Sequence, residues 1–214
     1  MANMADIENG SRPLLGVLIS GRGSNLQSII DAISARRLDA AIAVVISNRG
    51  DAQGLQRARD AGIDAVHLSP RDYPDRDGYD WALADLLTKR GVSIVCLAGF
   101  MRLVGRPLLD AFPNRILNIH PSLLPAFPGL DAQRQALEHG VRVTGATVHI
   151  VNAELDGGPF VLQSAVPVLE HDTVDTLAAR VLLEEHRLYP EAIRLMLDEG
   201  WSVAGRRLVR AAVS

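Results

Sequence analysis

Apolar residues along this chain fall into short unbroken runs separated by stretches with helical spacing. Leu14 to Ile19, Ile42 to Ile46, Ala65 to Leu68 and Ser93 to Leu97 are four such runs. Runs of that length, apolar on both alternating faces, predict parallel strands covered on both sides. Between them, positions 26, 29, 30 and 33 keep the spacing of a helix face. Gln53 to Ala61 ends at Gly62, and Tyr79 to Arg90 ends at Gly91, as helices that stop at a glycine do. In the latter helix Trp81, Leu83, Leu86 and Leu87 are available for burial. Strands alternating with helices predict an α/β fold with a doubly wound, mostly parallel sheet and right-handed crossovers. Ligands of such sheets bind beyond the carboxyl ends of the strands, so the loops after Ile19, Leu97 and Leu117 should gather in one place.

The rhythm changes in the C-terminal half. A helix is expected from about Asp131 to His139. Thr144 to Val151 and Phe160 to Val168 then read as extended segments joined through Asp156-Gly157, which predicts an antiparallel extension of the sheet. A long helix from Val174 to about Leu197 follows, with Pro190 expected to bend or divide it. Trp201 to Arg210 reads as a short final strand at best. We therefore expect a loose tail over residues 1–13 and a single domain over 14–214, with no internal repeat and no low-complexity linker.

Charge and composition narrow the functions more than they alter the fold. The net charge is -3 and the basic residues are scattered, which argues against nucleic acid or a membrane surface as partner. No apolar run approaches a membrane span, and a cytoplasmic protein is expected. The lone Cys96 sits in an apolar run, reads as a small hydrophobe, and excludes both an internal disulfide and a cysteine-rich metal site.

Three stretches carry candidate chemistry. The first runs from the opening strand into Ser20-Gly21-Arg22-Gly23-Ser24-Asn25 and then a helix, a geometry that offers backbone N–H groups and a helix dipole to an anion. It lacks the Gly-Lys-Ser/Thr ending of a triphosphate loop, so a single phosphate is the better match. The same pattern also serves simply to turn a strand into a helix. The second is Asn118-Ile119-His120-Pro121-Ser122-Leu123-Leu124-Pro125. At strand spacing Asn118 and His120 share a face, an amide donor beside an imidazole, suited to a developing oxyanion and to proton transfer. A core histidine with an amide capping a turn fits the segment nearly as well. The third is Glu154-Leu155-Asp156-Gly157-Gly158-Pro159, where Asp156 reads either as a hairpin turn residue or as a carboxylate that orients an imidazole. Ala98 to Val104, with four bulky residues after Ala-Gly, reads as a pocket wall or as packing over the sheet end. His149 reads as a buried histidine that could back Asp156, and Glu184-Glu185-His186 as a solvated charge run.

Together and in this order, these motifs resemble the folate-dependent formyltransferases, most closely the phosphoribosylglycinamide formyltransferase branch, from roughly Leu14 to Gly200. The resemblance implies formyl transfer from 10-formyltetrahydrofolate to the amine of glycinamide ribonucleotide in purine biosynthesis, without a metal. It implies a phosphate- and ribonucleotide-binding N-terminal half and a folate-binding C-terminal half, in a monomer or homodimer. By the same resemblance Asn118, His120 and Asp156 are the catalytic trio, with Asp156 keeping His120 protonated. Gly23, Ser24, Asn25 and Glu185 meet the ribonucleotide, which reverses the charge-run reading of Glu185. Arg76, Met101, Arg102, Leu103, Val104 and Asn118 meet the folate. Ala126 and Gln133 depart from the lysine and histidine many relatives carry. Alternatives are a formyltetrahydrofolate hydrolase, expected to need an extra N-terminal domain, and a non-catalytic phosphate-binding module. A methionyl-tRNA formyltransferase would need an RNA-binding domain and a basic surface.

Overall fold

The structure is a computed structural model and describes residues 12–198 and 200–210. Most of the expected tail, residues 1–11, lies outside the described residues. Five strands, β1 (Leu14–Ile19), β2 (Ala41–Ser47), β3 (Ala65–His67), β4 (Ile94–Leu97) and β5 (Ile116–His120), pair in parallel in the order β3-β2-β1-β4-β5. The crossovers carry α1 (Ser24–Ser34), α2 (Gln53–Asp60), α3 (Arg76–Lys89) and α4 (Arg106–Ala111). The chain winds outward from β1 in one direction and from β4 in the other. Their carboxyl ends therefore form the switch point at which such sheets open a crevice.

Each face of the sheet has its own apolar layer. Leu26, Ile29 and Ile30 of α1 and Leu55 and Ala58 of α2 cover one face, together with Leu177, Val181 and Ile193 of the last helix. Tyr79, Leu83 and Leu87 of α3, with Leu108 of α4 and Phe112 just beyond it, cover the other. Trp81 departs from expectation: it is 63% exposed, because Tyr79, Leu83 and Leu87 hold the inward stripe and Trp81 lies off it. The polar stretch before α3 also holds a short 3-10 turn, Pro70–Asp72.

Beyond β5 the direction changes, as the Asp-Gly signal predicts. Helix α5 (Ala132–Glu138) leads to β6 (Val143–Ile150), antiparallel to β5, and β7 (Phe160–Pro167), antiparallel to β6. Helix α6 (Val174–Leu197) opens with a capping box at Thr173 and Thr176 and runs through Pro190 without dividing. Pro190 is buried, and packing along the helix outweighs the missing hydrogen bond. The terminal segment is more than one strand: β8 (Trp201–Ala204) and β9 (Arg207–Arg210) form a hairpin, and β9 extends the sheet beside β7. Gly205, at φ 62°, supplies the left-handed residue of its turn.

One buried side chain ties α6 to the strand ends that matter. The Tyr189 hydroxyl lies 3.0 Å from both the Leu97 and the Leu117 carbonyl, the last residue of β4 and the residue before Asn118. Replacing it by phenylalanine removes the one donor that these two buried carbonyls share. Tyr189→Phe is expected to cost about 1–3 kcal/mol of stability, measured by urea denaturation, with an unchanged slope.

Candidate active site

The antiparallel register of β5 on β6 sets Asn118 opposite His149 and His120 opposite Thr147. The four side chains face the end of the sheet, where the β6–β7 connection folds over them. Asp156 sits in that connection with φ 49°, a left-handed conformation that aspartate tolerates better than most residues. Gly158 follows where no side chain fits, since a Cβ there would lie 1.8 Å from the Ile150 carbonyl oxygen. The connection is thus both the predicted hairpin turn and the carrier of an inward carboxylate.

The cluster is nearly closed. His120 Nε2 is 2.8 Å from the Phe127 carbonyl and must carry the hydrogen, because a carbonyl only accepts. Its Nδ1 faces Asp156 Oδ2 at 3.4 Å. The Gly129 N–H also donates to Asp156 Oδ2, at 2.8 Å. His149 Nδ1 donates to the Ile150 carbonyl at 3.2 Å, so its neutral Nε2 accepts from Asn118 Nδ2 at 3.1 Å. His149 Nε2 also lies 3.5 Å from Asp156 Oδ1. Asn118 retains a second amide hydrogen with no protein acceptor among the described residues. Asp156 thus contacts His120 directly, the one pairing on which the orienting role of the carboxylate depends.

The loop between Pro121 and Pro128 is held from β6 and β7. Thr147 Oγ1 donates to the Ser122 carbonyl at 2.7 Å and accepts from the Leu124 N–H at 3.1 Å. Gln163 Nε2 donates to the Leu124 carbonyl at 2.8 Å. Phe127 takes a left-handed φ of 55°, which aims its carbonyl at His120. Neither Thr147 nor Gln163 stands out in the sequence, because their roles arise from a cross-strand register that one chain segment does not display.

Burial holds the His120 imidazole below its ordinary value, against the upward pull of the Phe127 carbonyl and Asp156. Desolvation thus opposes the pull that Asp156 exerts toward the charged imidazole. Burial raises Asp156, but the His149 ring, the Gly129 N–H and the His120 charge together outweigh it and hold the carboxyl below its usual range.

At the other end of the crevice, Gly23 (φ 71°) turns the chain into α1, which has no side-chain cap. The N–H groups of Ser24 and Asn25 open the helix without intrahelical acceptors, an arrangement suited to phosphate. Glu185 is 7% exposed and accepts from Asn25 Nδ2 at 2.7 Å. The structure thus joins Asn25 and Glu185, whereas Glu184 binds Ser164 and Arg187 nearer the surface. Arg57, absent from the sequence-based set, donates from Nε to the Arg22 carbonyl at 2.8 Å and borders a cavity of about 340 Å³ that opens beside Ser24. On the far side of the switch point, Met101 and Leu103 are 68% and 58% exposed. The Arg102 guanidinium lies over the Tyr79 ring at 5.0 Å. Arg76 opens α3, its Nε 3.5 Å from where a Cβ of Gly105 would stand, so it borders the same segment. Among the described residues, no group of three His, Cys, Asp or Glu is placed to hold a metal ion, and no helix is long and apolar enough to cross a membrane.

An open α/β sheet with this amide, imidazole and carboxylate at its strand ends defines a class of transferase, and the chain belongs to the formyl transferase family, whose model matches residues 15–193. Its relatives and structural neighbours are phosphoribosylglycinamide formyltransferases. The Escherichia coli (strain K12) phosphoribosylglycinamide formyltransferase is 46% identical over 182 residues, 85% of this chain and 86% of that protein. The trifunctional purine biosynthetic protein adenosine-3 of Homo sapiens is 47% identical over 85% of this chain. The chain spans only 18% of that protein's length, and 14% of its Drosophila pseudoobscura pseudoobscura counterpart. Among solved structures, glycinamide ribonucleotide transformylase 1 from Symbiobacterium toebii superimposes with a TM-score of 0.92 at 60% identity, covering 95% of this chain and 96% of that one.

Burial raises the Glu185 carboxyl above its ordinary range, opposed by the Asn25 amide. A carboxyl raised on folding binds its proton more tightly in the folded state, so stability is lost as pH rises from the ordinary carboxylate value through the raised one. Glu185→Gln keeps an acceptor for Asn25 without the charge. Its expected effect is a gain of about 1 kcal/mol at neutral pH, shrinking as pH falls toward the ordinary carboxylate range, as thermal melts across pH would show.

Proposed function

We propose that this chain transfers the formyl group of 10-formyltetrahydrofolate to the amine of glycinamide ribonucleotide, giving formylglycinamide ribonucleotide and tetrahydrofolate. The observation that carries the reading is the direct chain of contacts Asn118–His149–Asp156–His120 at the strand ends, between an uncapped helix terminus and an exposed apolar segment. The family and the names of the relatives support the substrates.

Each end of the crevice suits one substrate. The Ser24 and Asn25 N–H groups and the Gly23 turn face a phosphate, and Glu185 accepts hydroxyl hydrogens from the ribose. Met101 and Leu103 offer exposed apolar side chains, and Arg102 to Val104 unpaired backbone groups, to a flat heterocycle, and Arg76 offers a cation to a carboxylate tail. The folate supplies the activated formyl group. Asn118 is the direct donor to the charge developing on the formyl oxygen, through its second N–H, while His149 holds the first. Both ring nitrogens of His120 face acceptors, so the imidazole can take up a proton without an unpaired N–H and act on the same charge as a cation. One proton leaves the attacking amine and one is needed by the departing folate nitrogen. The His120 and Asp156 pair relays it, so the enzyme ends as it began.

The test mixes the protein with glycinamide ribonucleotide and 10-formyltetrahydrofolate and follows loss of the formyl-folate absorbance. Turnover only with both substrates is expected. Turnover without the ribonucleotide would assign a hydrolase, and no turnover would refute the reading. Asp156→Asn is expected to lower kcat by about 100- to 1000-fold while the ribonucleotide still binds with wild-type affinity, measured by calorimetry. Wild-type kcat in that variant would remove Asp156 from the relay.

A further inference from the structure

The segment proposed to receive the folate has no regular structure, yet its two ends are fixed by single side chains from elsewhere. At one end the Ser20 hydroxyl accepts from the Met101 N–H at 2.8 Å and donates to Asn48 Oδ1 at 2.6 Å. The Ser20 N–H donates in turn to the Gly99 carbonyl at 3.1 Å. At the other end Asp80 Oδ2 accepts from the Gly105 N–H at 2.6 Å. Ser20 and Asp80 are 5% and 2% exposed. A Cβ at position 105 would stand 2.6 Å from Asp80 Oδ2, so any side chain there would displace the carboxylate that holds this end. Between these anchors the N–H and carbonyl groups of Arg102, Leu103 and Val104 make no hydrogen bond to protein among the described residues.

The anchors come from different parts of the fold. Ser20 follows β1 at the switch point and directly precedes the glycine turn of the phosphate loop. Asp80 lies on α3, under Arg102 and beside Arg76, whose charges oppose the effect of burial on its carboxyl. A bare peptide segment collapses onto itself or onto water unless its ends are fixed. Here each end is fixed by one buried hydrogen bond, leaving the middle with donors and acceptors in a row. The one hydrogen of the Ser20 hydroxyl is committed to Asn48, so Ser20 has no donor left to offer a ligand.

We propose that Ser20 and Asp80 are positioning residues that stretch Met101 to Val104 into a preformed backbone edge for the folate ring. This rests on the folate reading given above and deepens it. Neither side chain meets the reacting atoms; each acts through the segment it holds. Fixing the edge before binding spares the folate the ordering cost, so losing an anchor weakens folate binding and leaves the chemical step intact.

The experiment titrates tetrahydrofolate and, separately, glycinamide ribonucleotide into wild-type protein, Ser20→Ala, Asp80→Ala and Asp80→Asn by calorimetry, with steady-state kinetics alongside. Each alanine variant is expected to bind tetrahydrofolate about tenfold more weakly. The KM for 10-formyltetrahydrofolate should rise to match, with ribonucleotide affinity and kcat at saturating folate kept. Asp80→Asn retains an acceptor for the Gly105 N–H and should restore the folate affinity. Unchanged folate affinity in both alanine variants would overturn the proposal. So would equal losses for both ligands with a lowered melting temperature, which would make the anchors general supports of the fold. Wild-type protein that does not bind tetrahydrofolate would refute the folate reading itself, and the inference with it.

Discussion

The register of β5 on β6 is the constraint on which the site depends. Antiparallel pairing sets Asn118 against His149 and His120 against Thr147, and every later contact assumes those two pairs. A slip of one residue in β5 would turn Asn118 and His120 to the face opposite His149 and Thr147. The β6–β7 connection fixes the third partner by sterics as much as by bonding. Gly158 passes the Ile150 carbonyl where no Cβ fits, and Asp156 takes a left-handed turn that brings its carboxylate beneath both imidazoles.

That register also explains how a cluster of polar groups is tolerated at the sheet end. His120, His149, Thr147 and Ser122 are each at most 5% exposed, and burying such groups unpaired would be costly. Each has a partner: a main-chain carbonyl for His120, His149 and Ser122, and three bonds for the Thr147 hydroxyl. The networks of β6 and β7 thereby convert an irregular proline-rich loop into a rigid wall behind the imidazole. Preorganisation of this kind is what lets a few donors act strongly on a developing charge.

Much of this was legible in the sequence where the signal is local. Buried parallel strands show as unbroken apolar runs, the glycine turn into α1 and the shared face of Asn118 and His120 follow from spacing, and turn chemistry places Asp156 in a hairpin connection while leaving the direction of its carboxylate to the resemblance. What was not legible depends on partners distant in the chain. Glu185 reads as surface charge within Glu184-Glu185-His186, because only the packing of α6 against α1 shows which of the acids meets Asn25. Trp81 reads as core because a bulky aromatic in a helix usually is, yet three nearby residues already fill the inward stripe. Pro190 reads as a breaker because propensity ignores packing on a sheet, and the small Arg207–Arg210 strand takes its partners from Trp201–Ala204 and, at one position, from β7.

The two ends of the crevice differ in how they are made, and under the proposed function the difference follows from the ligands they would suit. A phosphate is compact and doubly charged, and a helix terminus meets it with amides that the fold leaves unpaired in any case. Only Glu185 there is costly, a carboxyl buried against one amide. A flat heterocycle offers edges and no charge, so it needs a row of backbone groups held away from regular pairing, which no strand or helix supplies. The sheet's switch point satisfies both needs at once. β1 ends in the turn that leads to the helix terminus, β4 ends in the segment that stays bare, and Ser20 joins the two through the Gly99 carbonyl and the Met101 N–H. The amide and imidazole of β5 stand next in the sheet, beside β4, so strand order brings the glycine turn, the bare segment and these polar groups to one place.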